Sequence, residues 1–153
     1  MSIIEKKVDA LVRLVLSESE VEKEFIIKSL RNLMDKPYEF HDMVKDVKTA
    51  LLEIGVPDHL LGYKYISHAV AHIIEHGDHY ADITKVLYPD VAKEFGTTSS
   101  RVERAIRHSI EVAWDRIPME VSMKYFGNTI SGLKGKPTNC EFLVRLANYL
   151  RGD

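Results

Sequence analysis

The sequence is poor in cysteine, in long apolar runs and in net charge, and each shortage excludes a class of protein. Its single cysteine, Cys140, excludes an intrachain disulfide framework and a multi-cysteine zinc cluster. No apolar run approaches the roughly 18 residues of a membrane span, and the N-terminus lacks the order of a signal peptide. The formal net charge of -2 argues against a non-specific nucleic-acid coat protein but permits a local basic face. We therefore expect a cytoplasmic protein that does not associate with membranes.

Motifs for catalysis and phosphate binding are also missing. The chain has no GxGxxG, GxxxxGKS, HExxH or GxSxG pattern. Its carboxylates fall on the surfaces of predicted helices, without a paired and buried arrangement. We therefore predict that the protein is not an enzyme and needs no cofactor.

Apolar residues recur at helical spacing along most of the chain, whereas sustained alternation with period two is missing. In the first third this pattern predicts three helices, and the second would bury Phe25 and Leu30 and stop before Pro37. The third would end at Gly55-Val56-Pro57, because glycine adopts a left-handed backbone and proline cannot continue a helix. Further glycines and prolines, beginning with Gly62, would separate the remaining amphipathic stretches. We predict an all-α protein of about eight or nine helices.

The segment from Tyr88 to His108 has the pattern of two helices joined by a tight turn, and the helices are predicted at about 88–95 and 99–114. Ala92 supplies a small residue where the second helix crosses the first. Gly96 permits a left-handed turn, and Val102 supplies an apolar residue that anchors the second helix. These three residues at these spacings favour a helix-turn-helix.

The outer face of the second helix is basic. At about 100° per residue, Arg101, Arg104 and His108 share one side, flanked by Glu103 and Arg107. Arginine bonds the O6 and N7 of guanine and glutamate accepts from cytosine N4, so we predict that Arg101, Glu103 and Arg104 read bases. The predicted DNA-backbone contacts are Thr97, Thr98, Ser100, Arg107, His108, Lys134 and Lys136. A solvated face held by ion pairs such as Glu103–Arg107 is the alternative, but the turn pattern upstream favours DNA binding.

Four segments of the chain resemble one known family, in the same order along the sequence. They are LLEIGVPDHLLGYKYI (51–66), DITKVLYPDVAKEFGTT (82–98), SSRVERAIRHSIEVAW (99–114) and YFGNTISGLKGKPTNCEF (125–142). Over roughly Val47 to Leu150 the chain resembles the C-terminal effector domain of the stage-zero sporulation protein A family, the sporulation master response regulators of endospore-forming Firmicutes. The resemblance implies a six-helix DNA-binding domain with an embedded helix-turn-helix, which binds a box similar to TGTCGAA and activates or represses transcription.

The same resemblance implies roles for particular positions. Arg101, Glu103 and Arg104 match residues that approach bases, whereas Arg107 and His108 match positions close to the DNA backbone. Residues from about 116 to 133 match a region implicated in contacting the polymerase sigma subunit, and the helix at 141–150 resembles one used in protomer contacts. The implied partners are therefore double-stranded DNA, the sigma subunit, and a second copy as a homodimer or as tandem protomers on DNA.

The first third of the chain departs from that family. The family couples its effector domain to an α/β receiver with a phosphorylated aspartate, but residues 1–47 are too short for a receiver and lack its hydrophobic strands. We predict an N-terminal segment over 1–47, with two or three helices that dimerise, dock on the effector domain or sense a partner. The effector domain would occupy residues 48–153.

Four histidines form a ladder ahead of the next predicted turn. On one helix His68, His72, His76 and His79 project within an arc of about 80°, and histidines four residues apart chelate zinc, copper or nickel. The opposite side is apolar, so we expect the histidine face to be exposed to solvent. A polar helix face explains the pattern without a metal, and the resembled family implies none. We therefore predict no metal site and retain this cluster as the alternative.

We predict a sequence-specific DNA-binding transcription regulator linked to sporulation control. One alternative is a protein-interaction module or antagonist that binds a full-length regulator or a polymerase subunit. The set of Arg101, Glu103 and Arg104 argues against it, because an antagonist has no use for side chains that read bases. A metal-responsive regulator that acts through the histidines is a third hypothesis.

Overall fold

The computed structural model describes residues 3–16, 20–34, 37–77, 82–127 and 135–152. Within these ranges the protein has eight α-helices and no strand, which confirms the all-α prediction. The helices are α1 (Ile3–Val15), α2 (Glu20–Met34), α3 (Phe40–Ile54), α4 (Leu61–His76), α5 (Tyr88–Glu94), α6 (Ser99–Trp114), α7 (Met119–Phe126) and α8 (Asn139–Arg151). A short π-helical turn, Ile83–Leu87, runs directly into α5. None of these helices is long and apolar enough to cross a membrane.

The core forms around α4, which packs against α3, α6 and α8. Ile66, Ala69 and Val70 on α4 are fully buried, as are Leu51 on α3 and Phe142 on α8. Burial of this kind contributes on the order of 1.5–3 kcal/mol for each large apolar side chain. The six helices α3–α8 therefore enclose one continuous core.

Gly62 lies inside a helix and not between two helices. It is the second residue of α4, and its backbone lies directly against α6. A Cβ atom at this position would stand 2.0 Å from Ser109 Oγ and 2.3 Å from the backbone oxygen of Ala105. The prediction that Gly62 separates two stretches is therefore wrong. A glycine here serves the close approach of two helices, which a single sequence does not distinguish from a turn.

The end of α3 follows the predicted chemistry. Gly55 has a φ of 97°, in the left-handed region that favours glycine, and its N–H donates to the carbonyl of Leu51 at 3.0 Å. The N–H of Val56 donates to the same carbonyl at 2.9 Å. These bonds satisfy the last turn of α3 and direct the chain towards α4. Because α3 begins at Phe40, the predicted boundary at residue 48 falls within a helix.

α1 and α2 pack together as a helical hairpin at one side of this core. Leu30 is buried, as predicted, but Phe25 is 73% exposed, so its predicted burial is wrong. Helical spacing shows which residues share a face, but it does not show whether another element covers that face.

α1 contacts the six-helix core through its first turns. Ile3 is buried, and Lys7 Nζ lies 3.0 Å from Asp46 Oδ1 on α3. Lys6 Nζ donates to the backbone carbonyl of Tyr149 on α8 at 3.0 Å and lies 4.6 Å from the centre of its ring. α1 is thus fixed to both α3 and α8.

Candidate nucleic-acid interface

A tight turn joins α5 to α6. Gly96 has a φ of 63°, and the N–H of Thr97 donates to the carbonyl of Ala92 at 2.9 Å. Ala92 and Val102 are buried where the two helices meet. The helices lie where the sequence predicts them, and the short loop fixes their mutual orientation.

The start of α6 is capped by a side chain. Thr98 is the N-cap residue, and its Oγ1 accepts from the N–H of Arg101 at 3.3 Å. Thr98 and Ser100 are exposed and Thr97 is half-buried, so all three stand near the positive end of the helix dipole. This end of α6 offers hydroxyl and amide donors to an anion.

The two faces of α6 differ sharply. Its inner face is apolar and buried, with Val102, Ile106, Ile110 and Ala113 in the core. Its outer face exposes the four cationic or titratable side chains that the sequence singles out: Arg101, Arg104, Arg107 and His108. Because the inner face is packed so closely, these side chains project from a rigid support.

Glu103 differs from the arginines around it. Its side chain is only 28% exposed and is paired with Arg107, whose side chain is 60% exposed. This ion pair is the one that a solvated helix face, the alternative to DNA binding, would contain. It joins Glu103, a predicted base reader, to Arg107, a predicted contact of the DNA backbone. Arg101 and Arg104 stand on the exposed face beside this pair.

A groove of about 630 Å³ separates this side of α6 from the loop that leads into α8. Its lining includes Ser100, Glu103, Arg107 and Lys136, which are all predicted site residues. Arg101, Arg104 and His108 do not line it. The structure therefore divides the predicted site between the groove and the open face of α6, and Lys134 lies outside the described residues.

Asn139 joins α8 to both α5 and α6, a role that no pattern in the sequence indicates. Its Nδ2 donates to Tyr88 Oη at 3.1 Å and to the backbone carbonyl of Glu103 at 3.1 Å. Tyr88 lies in the core, and its burial raises the pKa of its hydroxyl, which stays protonated. The Pro-Thr-Asn turn predicts a helix start here, but no local signal predicts a contact with residues so distant in the chain.

The histidine ladder also lies differently from the prediction. His79 is outside the described residues. His68 Nδ1 lies 2.8 Å from Glu94 Oε2 on α5, and His72 Nε2 pairs with the other oxygen of that carboxylate. Phe40 on α3 packs against both rings. The expected solvent exposure is therefore wrong for these two side chains, which are 28% and 15% exposed, because α3 and α5 cover them.

A polar network joins α3 to α7 on another side of the molecule. Lys124 Nζ donates to both carboxylate oxygens of Glu53 at 2.8 and 3.0 Å, and Tyr125 Oη donates to Glu53 Oε2 at 2.5 Å. The hydrogen bond with Lys124 lowers the pKa of Glu53, and burial raises the pKa of Tyr125. Beside this network, Met119 and Met123 leave an apolar patch on α7 that is 80% and 47% exposed.

One known family matches most of the chain. The family model described as sporulation initiation factor Spo0A, C terminal, matches residues 47–150. The match covers more than half of the chain, beginning within α3 and ending within α8. It confirms the resemblance, and it includes α6 and its basic face. The chain therefore belongs to the Spo0A C-terminal family, the DNA-binding effector domain of a sporulation regulator.

Proposed function

We propose that this protein is a sequence-specific transcription regulator in which α5, the turn at Gly96 and α6 form a helix-turn-helix. The observation that carries the proposal is the outer face of α6, where three arginines and a histidine project from a helix anchored in the core. Recognition helices of this motif lie in the major groove and contact bases with their first turns. Family membership supports the same role. With DNA as its ligand, the protein would act in the cytoplasm.

Arg101 and Arg104 are proposed to read bases. Both lie in the first two turns of α6 and are exposed, and arginine offers two donors to the O6 and N7 of guanine. A guanine-containing box similar to TGTCGAA supplies such acceptors. The N-terminus of α6 and the exposed hydroxyls of Thr98 and Ser100 would hold a phosphate and so fix the register of the helix.

Glu103 and Arg107 are proposed to exchange partners when DNA binds. In the protein alone they form an ion pair at the edge of the groove. A DNA phosphate competes for Arg107, because arginine binds phosphate through two parallel hydrogen bonds. Glu103 then becomes available to accept from cytosine N4. Lys136, exposed on the other side of the groove, would contact the same strand.

Fluorescence anisotropy with the whole chain tests the DNA proposal. We expect a labelled duplex that carries the TGTCGAA-like box to bind about a thousandfold more tightly than a scrambled duplex of equal composition. Both titrations are run at the same stated salt concentration, because phosphate contacts make affinity depend on salt. Equal affinity for the two duplexes would refute sequence-specific recognition.

α7 is proposed to contact the RNA polymerase sigma subunit. The resembled region includes α7, where Met119 and Met123 form an exposed apolar patch beside the Glu53–Lys124 pair. Replacing Met119 with Asp should abolish binding of a purified sigma subunit and leave DNA affinity unchanged. If the variant binds sigma as tightly as the parent does, the proposed surface is wrong.

Residues 1–47 are proposed to form a separate helical segment that docks on the effector domain over 48–153. The contact of Lys6 with Tyr149 supports docking through α1. The ion pair of Lys7 with Asp46 holds α1 to α3, the helix that crosses the boundary between the two parts. The contact of Lys6 places α1 against α8, the helix that the resemblance links to protomer contacts. Light scattering during size-exclusion chromatography would separate docking within a monomer from a homodimer, because only the dimer doubles the mass.

A protein-interaction module is the second candidate, and the exposed apolar residues of the α1–α2 hairpin favour it. Leu16 and Phe25 are 76% and 73% exposed. Such residues favour a protein partner, whether a full-length regulator or a polymerase subunit. Capture of either purified partner, combined with no preference for the box, would favour this candidate over a DNA reader.

A further inference from the structure

One turn of α4 gathers three side chains that ligate metals, and none of them lies on the proposed DNA face. His72, Glu75 and His76 each offer a ligand atom, and these atoms lie within 4.8 Å of one another. His76 Nε2 stands 3.1 Å from Glu75 Oε2. The rings of His72 and His76 are stacked, with their centres 6.3 Å apart. Small rotations of these side chains would bring two imidazole nitrogens and one carboxylate oxygen around a single ion.

This set of ligands has a defined metal preference. Imidazole with carboxylate suits zinc and its neighbours nickel and copper, and two histidines with one glutamate form a known zinc site. The H-x-x-E-H spacing of residues 72–76 also occurs in a class of metallopeptidases, where the two histidines hold the zinc. In an α-helix this spacing places both imidazoles on one face, about one turn apart.

The residues around His72 hold its ring in a fixed orientation, as is typical of a metal ligand. Its Nε2 pairs with Glu94 of α5, and Phe40 of α3 packs against its ring with centres 4.7 Å apart. A histidine that ligates a metal commonly has a carboxylate on its other ring nitrogen, which fixes the orientation of the ring. With Nδ1 of His72 as the metal ligand, Glu94 on Nε2 would act in this way. His76, with a side chain that is 48% exposed, leaves the site open to solvent.

We propose that His72, Glu75 and His76 form a binding site for one divalent transition-metal ion of the zinc class. Three protein ligands leave the fourth position of a tetrahedral ion for water or for a ligand from another molecule. Through Glu94, the site is joined to α5, the first helix of the proposed helix-turn-helix.

Isothermal titration of the untagged whole chain with zinc chloride tests this site. We expect one zinc ion per chain, with at least a tenfold loss of affinity in both His76→Ala and Glu75→Gln. His41→Ala, which removes an exposed histidine of α3 outside the cluster, is the matched control and should bind zinc like the parent. Absence of binding by the parent overturns the proposal. Equal affinity in the parent and both site variants also overturns it, because other groups would then hold the zinc.

Replacing zinc with cobalt supplies a second test, which measures light absorption and not the heat of binding. A cobalt ion held by these ligands should give a visible absorption band that is lost in His76→Ala and retained in His41→Ala. A band retained in both variants would contradict the assignment. Circular dichroism melting without metal verifies that each variant folds, and the exposure of Glu75 and His76 predicts unchanged melting curves. DNA affinity measured without zinc should not change in either site variant. A failure of zinc binding is therefore distinguishable from a failure of DNA recognition.

Discussion

The six helices α3–α8 and the hairpin of α1 and α2 have the same kind of sequence but different degrees of burial. Both regions carry apolar residues at helical spacing. In α3–α8 these residues interlock around α4, and Ile66, Ile106 and Phe142 have no exposed surface. In the hairpin, Leu16 and Phe25 remain mostly exposed. An amphipathic pattern therefore specifies a helix, whereas burial also requires neighbouring elements that cover its apolar face.

The difference coincides with the extent of the family match. The match to residues 47–150 begins inside α3 and does not include the hairpin. The region with the continuous core thus contains nearly all of the family match, and its packing supports the basic face of α6. The hairpin contributes few contacts to that core, among them those of Ile3, Lys6 and Lys7.

Truncation of one phenylalanine in each region gives the largest expected contrast. Phe142 is fully buried and packs against Phe126, with ring centres 5.1 Å apart. Phe142→Ala should lower the free energy of unfolding by about 3–5 kcal/mol. Phe25→Ala should change it by no more than about 0.5 kcal/mol, because the side chain is exposed. Urea denaturation measures both. An equal loss in the two variants would mean that another surface covers the hairpin in solution.

Gly62→Ala tests the close approach of α4 and α6. The new Cβ would meet Ser109 Oγ and the backbone oxygen of Ala105, so α4 must shift. We expect a loss of about 1–3 kcal/mol. Helix propensity alone favours alanine by about 1 kcal/mol, so the sign of the change separates the two effects. Leu61→Ala, which alters the exposed neighbouring residue, is the control. A more stable Gly62→Ala variant would show that the helices lie farther apart.

Glu53 should make the joint between α3 and α7 sensitive to pH. Its hydrogen bond with Lys124 lowers its pKa below the ordinary value of 4.5, so the carboxylate contributes stability above that pH. The contribution is lost as the pH falls through the folded-state pKa. Because the pair is largely exposed, we expect less than about 1 kcal/mol. Urea midpoints are measured from about pH 3 to about pH 7. The midpoint of Glu53→Gln should approach that of the parent at the acid end of this range. A difference in midpoint that stays constant across this pH range would show that the charge on Glu53 does not stabilise the joint.

The sequence predicts best what local chemistry determines. Ala92, Gly96 and Val102 predict the α5–α6 turn because their roles depend on residues a few positions away. The contact of Asn139 with Glu103 joins residues far apart in the chain, and no local pattern indicates it. The prediction of a break at Gly62 is wrong for the same reason, because its role depends on α6. Local sequence determines where a helix begins and ends, whereas the elements that it packs against depend on the whole chain.

The position of Glu103 within the site also depends on how distant parts of the chain pack. Helical spacing indicates its ion pair with Arg107 as one alternative, but it does not show that the side chain lies at the edge of a groove formed with the loop before α8. Helical spacing predicts an outer face for the arginines, and Arg101, Arg104 and Arg107 are exposed because the opposite face of α6 is continuous and apolar. What each side chain binds on DNA stays a prediction.

The box affinity of two arginine variants of the whole chain tests whether α6 is the helix that reads DNA. Arg104 projects from the outer face of α6, whereas Arg13 lies on the hairpin, 79% exposed and paired with Asp9. We expect Arg104→Ala to lose about 1–3 kcal/mol of binding free energy and to discriminate less between box and scrambled duplexes. Arg13→Ala should bind like the parent. If Arg104→Ala retains parental affinity, or if both variants weaken binding equally, α6 is not the helix that reads DNA.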